Sequence, residues 1–248
     1  MCHPEYSEAC FSSTSVGIPL PDGHVLPALE CQPTLVPAPA VLILHDADGP
    51  TPFYASLARR VAAAGFVALL PDLYFRLGPS IARDPRAAAQ LDYQQTMDAA
   101  CASVDWLRAR REVAHPRLGT VGFSLGGTLV LDLAAERADL VTATFYGFPL
   151  GHLRGADISP MQLLDDIRGP LVGFFGEQDE VVSSAEVRLL EASLHERGVE
   201  VSFTVFPDVG HHFVAGSRLD SNQHTADYAR AHASWTATLR FFHERLKP

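Results

Sequence analysis

The hexapeptide Gly122-Phe123-Ser124-Leu125-Gly126-Gly127 lies between two apolar runs, Leu118 to Val121 and Thr128 to Ala135. A strand, a sharp turn and a helix with a serine at the apex account for that order. Glycines two places either side of the serine let the backbone reverse tightly and let the helix approach the strand. Such an elbow, 122–127, lifts a hydroxyl clear of the sheet. It also turns the first N–H groups of the helix towards any anion that develops there.

The rest of the chain alternates in the way an elbow of this kind needs. Val41 to Leu44 and Phe66 to Leu70 are continuous apolar runs, suited to strands buried on both faces. Between them, Phe53, Leu57 and Val61 form one stripe of a helix over 51–64, stopped by Gly65. Further strands are expected over 117–123, 141–146, 170–175 and 199–205, and helices over 88–111, 125–136, 183–197 and 225–246. Near the start, Thr14 to Leu20 and His24 to Cys31 flank Pro21-Asp22-Gly23 and predict an antiparallel hairpin across 13–32. Pro33, Pro37 and Pro39 then form a stiff connector. The expected class is α/β: a doubly wound, mostly parallel sheet with helices on both faces. A length of 248 residues suits a single such domain over 1–248. The stretch from Phe148 to Gly169 has room for one short helix near Met161 to Ile167, but not for a cap domain. With Tyr74 to Ala89 as the other candidate cover, a small, shallow and open site is expected.

A net charge of −10 argues against nucleic acid or an anionic membrane as partner. Nothing in the sequence approaches the ~18 consecutive apolar residues of a membrane span. Met1-Cys2-His3-Pro4-Glu5 does not read as a secretory leader. Cys2, Cys10, Cys31 and Cys101 are scattered without a C-x-x-C pair, and read as reduced thiols of a cytoplasmic protein, with no metal site.

A serine hydroxyl is a weak nucleophile near neutral pH. It needs a base, and the base needs an orienting carboxylate. Polar residues just past the carboxyl ends of the strands are the candidates, because open α/β sheets bind ligands there. Asp179, in Gly176-Glu177-Gln178-Asp179-Glu180-Val181-Val182, directly follows one such strand. Glu177, Glu180 and Asp208 are its rivals, and capping of the helix near 183 is its structural alternative. His211, in Val209-Gly210-His211-His212-Phe213, follows the next strand. Its preceding glycine permits a bend, and His212 is its rival. For Ser124 the structural alternative is a small residue at a tight turn. The order Ser, Asp, His at three strand ends favours the chemical reading.

These motifs, with His45-Asp46-Ala47-Asp48-Gly49, Pro71-Asp72-Leu73-Tyr74-Phe75-Arg76 and Thr144-Phe145-Tyr146-Gly147, resemble the dienelactone hydrolase family. The resemblance runs from the Val41 strand to the His211 loop. It implies an α/β-hydrolase fold without a large cap, and hydrolysis of small-molecule esters or lactones without a cofactor. It also implies Ser124 as nucleophile, Asp179 as orienting acid, His211 as base, and the backbone N–H groups of Leu125 and Ala47 as the oxyanion hole. By the same resemblance Arg76 meets a substrate carboxylate. A plain ion pair with Asp72 or Asp84 is the alternative. Asp46 stands at the site's edge as substrate contact or turn residue; Tyr74 is a substrate-binding candidate, with a core or pocket-wall residue as its alternative. Three positions depart from the family pattern. Serine replaces the cysteine nucleophile of characterised members, Asp46 replaces a glutamate, and Ala215 stands where a second carboxylate-binding arginine is expected, with Arg218 three places on. Two other readings remain: the same triad acting on amides, peptides or larger lactones, and a non-catalytic binding protein on this fold.

Overall fold

The computed structural model describes residues 11–78, 88–114, 117–151, 156, 158–216 and 226–246. Cys2, Cys10, Asp84, Arg218 and most of the Tyr74–Ala89 loop lie outside them. Eight strands form one sheet: β1 (Phe11–Pro19), β2 (Val25–Pro33), β3 (Ala40–Leu44), β4 (Val67–Pro71), β5 (Gly119–Phe123), β6 (Val141–Phe145), β7 (Leu171–Gly176) and β8 (Val201–Phe206). Their order is β1-β2-β4-β3-β5-β6-β7-β8. The hairpin β1–β2 is antiparallel and β2 joins β4 antiparallel; from β4 through β8 every pairing is parallel. The expected doubly wound sheet is therefore the observed one.

Strands β3 to β6 are buried at every residue; β3 and β4 are unbroken apolar runs, while the buried threonines of β5 and β6 are hydrogen-bonded, Thr120 to Thr142 at 3.1 Å and Thr144 to Gly127 O at 2.9 Å. Alternate side chains feed two cores. Val41, Ile43, Ala68, Val121 and Phe145 meet helices α1 (Pro52–Ala63) and α6 (Ala226–Leu246) on one face. Leu42, Leu44 and Leu69 meet α2 (Tyr93–Arg108) and α3 (Leu125–Glu136) on the other. A third cluster wedges α4 (Ser184–Glu196) against α3 and β7 through Leu131, Leu190, Leu194 and Leu171. Helix α2 starts at Tyr93 rather than 88, because Asp92 caps it by accepting from the Gln95 N–H; a separate 3-10 turn occupies Ala88–Gln90. In place of the helix expected near 161–167 there is a 3-10 turn, Pro160–Gln162, closed by a reciprocal Ser159–Gln162 cap. A short helix α5 (Phe213–Gly216) follows the His211 loop and was not foreseen.

One buried charge breaks the apolar pattern of α3. Asp132 is 3% exposed, and burial raises its carboxyl to about 7 despite a hydrogen bond from Tyr93 of α2. The folded state then holds a proton that the unfolded chain releases near 3.8, so stability falls as pH rises from there to about 7. Asp132→Asn is expected to flatten this slope, raising Tm at pH 8 and leaving it unchanged at pH 4. Thermal denaturation of both proteins across that range checks it, and parallel curves would refute it.

Candidate active site

The winding direction of the sheet reverses at β3, where the chain crosses first to β4 and later to β5. A crevice at the carboxyl ends of β3 and β5 is the binding place of such sheets. Register fills it: Leu44 pairs with Gly122, so the segment after β3, Asp46 and Ala47, lies beside Ser124. Phe123 pairs with Phe145, which puts Tyr146 on the other side.

Ser124 adopts φ 51°, ψ −111°, a conformation costly for a residue with a side chain and typical of strained functional turns. Its N–H donates to Phe145 O at 2.9 Å, and its C=O starts α3 by accepting from Thr128 N at 3.0 Å. The glycines are sterically required. A Cβ on Gly126 would lie 2.2 Å from Leu44 O, and one on Gly127 2.7 Å from Phe145 O. Helix α3 thus starts in backbone contact with both neighbouring strands.

The loops after β7 and β8 bring the partners in. Glu177 N donates to Phe206 O at 2.8 Å and Gln178 N to Val209 O at 3.0 Å, zipping the two loops together. Gly176 allows this, since a Cβ there would sit 2.3 Å from Val209 O. Across the zip, His211 Nδ1 lies 2.7 Å from Asp179 Oδ2, and His211 Nε2 lies 2.9 Å from Ser124 Oγ. The other oxygen of Asp179 accepts from Val181 N at 2.8 Å and Val182 N at 2.9 Å. Burial works to raise the Asp179 carboxyl. The His211 hydrogen bond and the two backbone donors outweigh it, and the group is held below its usual value. A carboxylate only accepts, so His211 carries its proton on Nδ1 and leaves the Nε2 lone pair for the serine hydroxyl. Tyr146 and Phe148 flank the imidazole, with ring centroids 4.9 and 5.7 Å away. Tyr146 and His212 share the positive φ of Ser124, at 41° and 59°. Backbone strain in non-glycine residues is concentrated in these three positions among the described residues.

The rivals fall elsewhere. His212 packs edge-on against His211 at 4.4 Å, while His211 makes the bonds to Ser124 and Asp179; burial, and then the neighbouring His211, lower the pKa of His212. Asp208 pairs with Arg230 of α6.

The segment after β3 is held from below by two side chains. His45 is fully buried; its Nε2 accepts from Leu73 N at 3.1 Å, so its Nδ1–H donates to Asp46 O at 2.7 Å. Burial lowers its pKa to about 4, which keeps the ring neutral for both bonds. The Tyr74 hydroxyl donates to Ala47 O at 2.8 Å and anchors the loop, with the residue 2% exposed. Asp46 is 1% exposed and accepts from Asp48 N at 2.9 Å, closing a tight turn. Burial raises its pKa, partly offset by Tyr54 and the Asp48 N–H.

Arg76 contacts neither the relay nor Asp72. Its guanidinium pairs with Asp22 in the turn of the β1–β2 hairpin and stacks over Phe75 at 4.9 Å. The hairpin turn lies at the carboxyl edge of the parallel strands because β2 runs antiparallel to β4, with Ala28 opposite Pro71. Among the described residues no group of three or more His, Cys, Asp or Glu is arranged to hold a metal ion, and no helix is long and apolar enough to cross a membrane.

The sequence model of the Dienelactone hydrolase family matches residues 26–246. The chain is 34% identical over 214 residues to a carboxymethylenebutenolidase from Rhodococcus opacus, covering 83% of this chain and 81% of that one. It is 30% identical to protein usf of Aquifex pyrophilus, over 84% of this chain and 89% of that one. A crystal structure from Klebsiella pneumoniae, provisionally named dienelactone hydrolase, superposes with a TM-score of 0.83 at 23% identity, covering 94% and 99% of the two chains. A dienelactone hydrolase-like promiscuous phosphotriesterase from metagenomic libraries superposes with a TM-score of 0.76 at 24% identity, over 96% and 100%.

Proposed function

Because the chain belongs to the dienelactone hydrolase family, we propose that it hydrolyses small carboxylic esters or lactones through an acyl-enzyme on Ser124. The observation that carries this reading is the continuous relay of 2.9 and 2.7 Å from Ser124 Oγ through His211 to Asp179. In it, Ser124 Oγ bonds to the carbonyl carbon as its proton passes to His211 Nε2. Asp179 keeps the imidazole in the required tautomer and stabilises the imidazolium. The tetrahedral oxyanion rests on the N–H groups of Leu125, at the start of α3, and of Ala47, each contributing about 3 kcal/mol by analogy with measured oxyanion donors. His211 returns the proton to the departing alkoxide, then draws one from the water that releases the acid. Neither step requires a metal or an organic cofactor. The short β6–β7 connection, with one 3-10 turn among its described residues, supports a site open to small soluble substrates. The free thiols Cys31 and Cys101 support a reducing compartment such as the cytoplasm.

The test is turnover of p-nitrophenyl acetate and of a dienelactone, with fluorophosphonate labelling mapped by mass spectrometry. Ester turnover with label on Ser124 is expected. A folded protein that neither turns over ester nor takes label would refute the reading in favour of a binding role.

The anchoring of Ala47 has its own consequence. Tyr74→Phe removes one hydroxyl and frees the loop that presents an oxyanion donor. It is expected to lower kcat by about fivefold, the worth of one hydrogen bond, with KM little changed. Steady-state kinetics on one ester decide it; a rise confined to KM would place Tyr74 in substrate binding instead.

A further inference from the structure

Of the three described non-glycine residues at positive φ, Ser124 owes its strain to the elbow, and Tyr146 is fully buried among Phe123, Phe145 and Phe213. His212, at φ 59°, has no such packing to account for it. It is exposed, and its ring meets the protein edge-on, at 4.4 Å from His211 and 5.8 Å from Tyr146. Among the described residues no hydrogen bond reaches either ring nitrogen. A glycine would take this backbone conformation without strain, so the imidazole is held here at a cost. Three rings lie within 6 Å of the base among the described residues: His212, Tyr146 and Phe148, at 4.4, 4.9 and 5.7 Å. Tyr146 is fully buried and Phe148 is apolar, which leaves His212 as the exposed ring with polar atoms. The side of the substrate it meets follows from the proton transfer. His211 Nε2 returns the serine proton to the departing alkoxide, so the alcohol portion of an ester must lie against His211. The oxyanion lies on the other side, towards Leu125 and Ala47.

Building on the hydrolase reading above, we propose that His212 contacts the alcohol portion of the ester, its ring N–H donating to an oxygen there, so that the site favours esters of oxygen-bearing alcohols over plain alkyl esters. Burial, and then the neighbouring His211, lower the pKa of His212, so near neutral pH its ring is neutral, with one nitrogen donating and the other accepting. An alkoxy or hydroxy group on the leaving alcohol can pair with this ring, and a hydrocarbon chain cannot.

The acetate esters of 2-methoxyethanol and of 1-butanol test this, because they share a shape and differ by an ether oxygen in place of one methylene. Acid release from each is measured with wild type and His212→Gly. The methoxyethyl-to-butyl ratio of kcat/KM is expected to be about fivefold lower in the variant, the worth of one hydrogen bond. Comparing the ratio between the two proteins cancels the difference in leaving-group acidity and any general loss of activity. The Tm of His212→Gly is expected to rise by about 2 °C as the backbone strain is released, which separates a lost contact from a lost fold. An unchanged ratio would overturn the proposal whatever happens to the overall rate, since an equal loss on both esters would mean that His212 supports the base and does not touch the alcohol. Absence of turnover of both esters by wild type, together with no fluorophosphonate label on Ser124, would instead refute the hydrolase reading and this proposal with it.

Discussion

Ser124→Ala is expected to abolish ester turnover, lowering kcat by about a millionfold, and Asp179→Asn to lower it by about ten-thousandfold. The second figure follows from hydrogen-bond direction. One oxygen of Asp179 is already committed to Val181 N and Val182 N, at 2.8 and 2.9 Å. An asparagine there must turn its carbonyl oxygen to those two donors, which aims its NH2 group at His211 Nδ1. The ring then accepts at Nδ1 and carries its proton on Nε2, facing the serine hydroxyl with a donor where a base is needed. Folding is expected to survive, since the backbone contacts of the loop are kept. The double variant should be no slower than Ser124→Ala alone, because the residues act as one unit. Stopped-flow and steady-state kinetics on p-nitrophenyl acetate measure all three. An Asp179→Asn protein within tenfold of wild type would show that Asp179 does not orient the base.

The features legible in the sequence were those set by local backbone rules. The fully buried strands β3 and β4 appear as unbroken apolar runs, and the hairpin as two extended runs around Pro21-Asp22-Gly23. Ser124, Asp179 and His211 could be placed at strand ends by chain order alone, and the hydrogen bonds that join them span 87 and 32 residues. The partner of Arg76 was not legible. Asp22 is 54 residues away, and its proximity depends on the antiparallel register of β2 on β4, which no local pattern encodes. Tyr74 was hidden for a related reason. A tyrosine reads alike whether it lines a pocket or bonds a distant carbonyl, here Ala47 O. The role of Gly176 was overlooked as well, although Gly176 is the last residue of an apolar strand. A glycine at that point signals close backbone approach, and it lets the acid and histidine loops run together. The room for a short helix near 161–167 is filled instead by tight turns, with i→i+3 bonds from Gln162 N to Ser159 O, Leu163 N to Pro160 O and Asp166 N to Leu163 O.

Gly122→Ala is expected to cost about 3 kcal/mol or more of stability, lowering Tm by roughly 10 °C in a chain of this size. The added Cβ would lie 1.9 Å from Gly126 O, 2.3 Å from Gly126 C and 2.8 Å from Gly127 N. All three atoms are backbone, so no side chain can rotate away. Relief requires the first turn of α3 to move off β5. That turn is fixed from behind, because Gly126 is pressed against the carbonyls of Leu44 and His45, and Gly127 against Phe145 O and Gly147. Any shift would also carry the Leu125 N–H away from Ala47, so catalysis should fall further than the loss of folded protein explains. Gly198→Ala is the control. Its φ of 75° strains an alanine, but nothing lies within 4 Å of the new Cβ. A penalty of about 1 kcal/mol with full activity is expected there. Chemical denaturation, with kcat measured on the folded fraction, separates the two effects. If Gly122→Ala matched Gly198→Ala in both, the close packing of the elbow against its neighbouring strands would not be what holds Ser124 in its strained conformation.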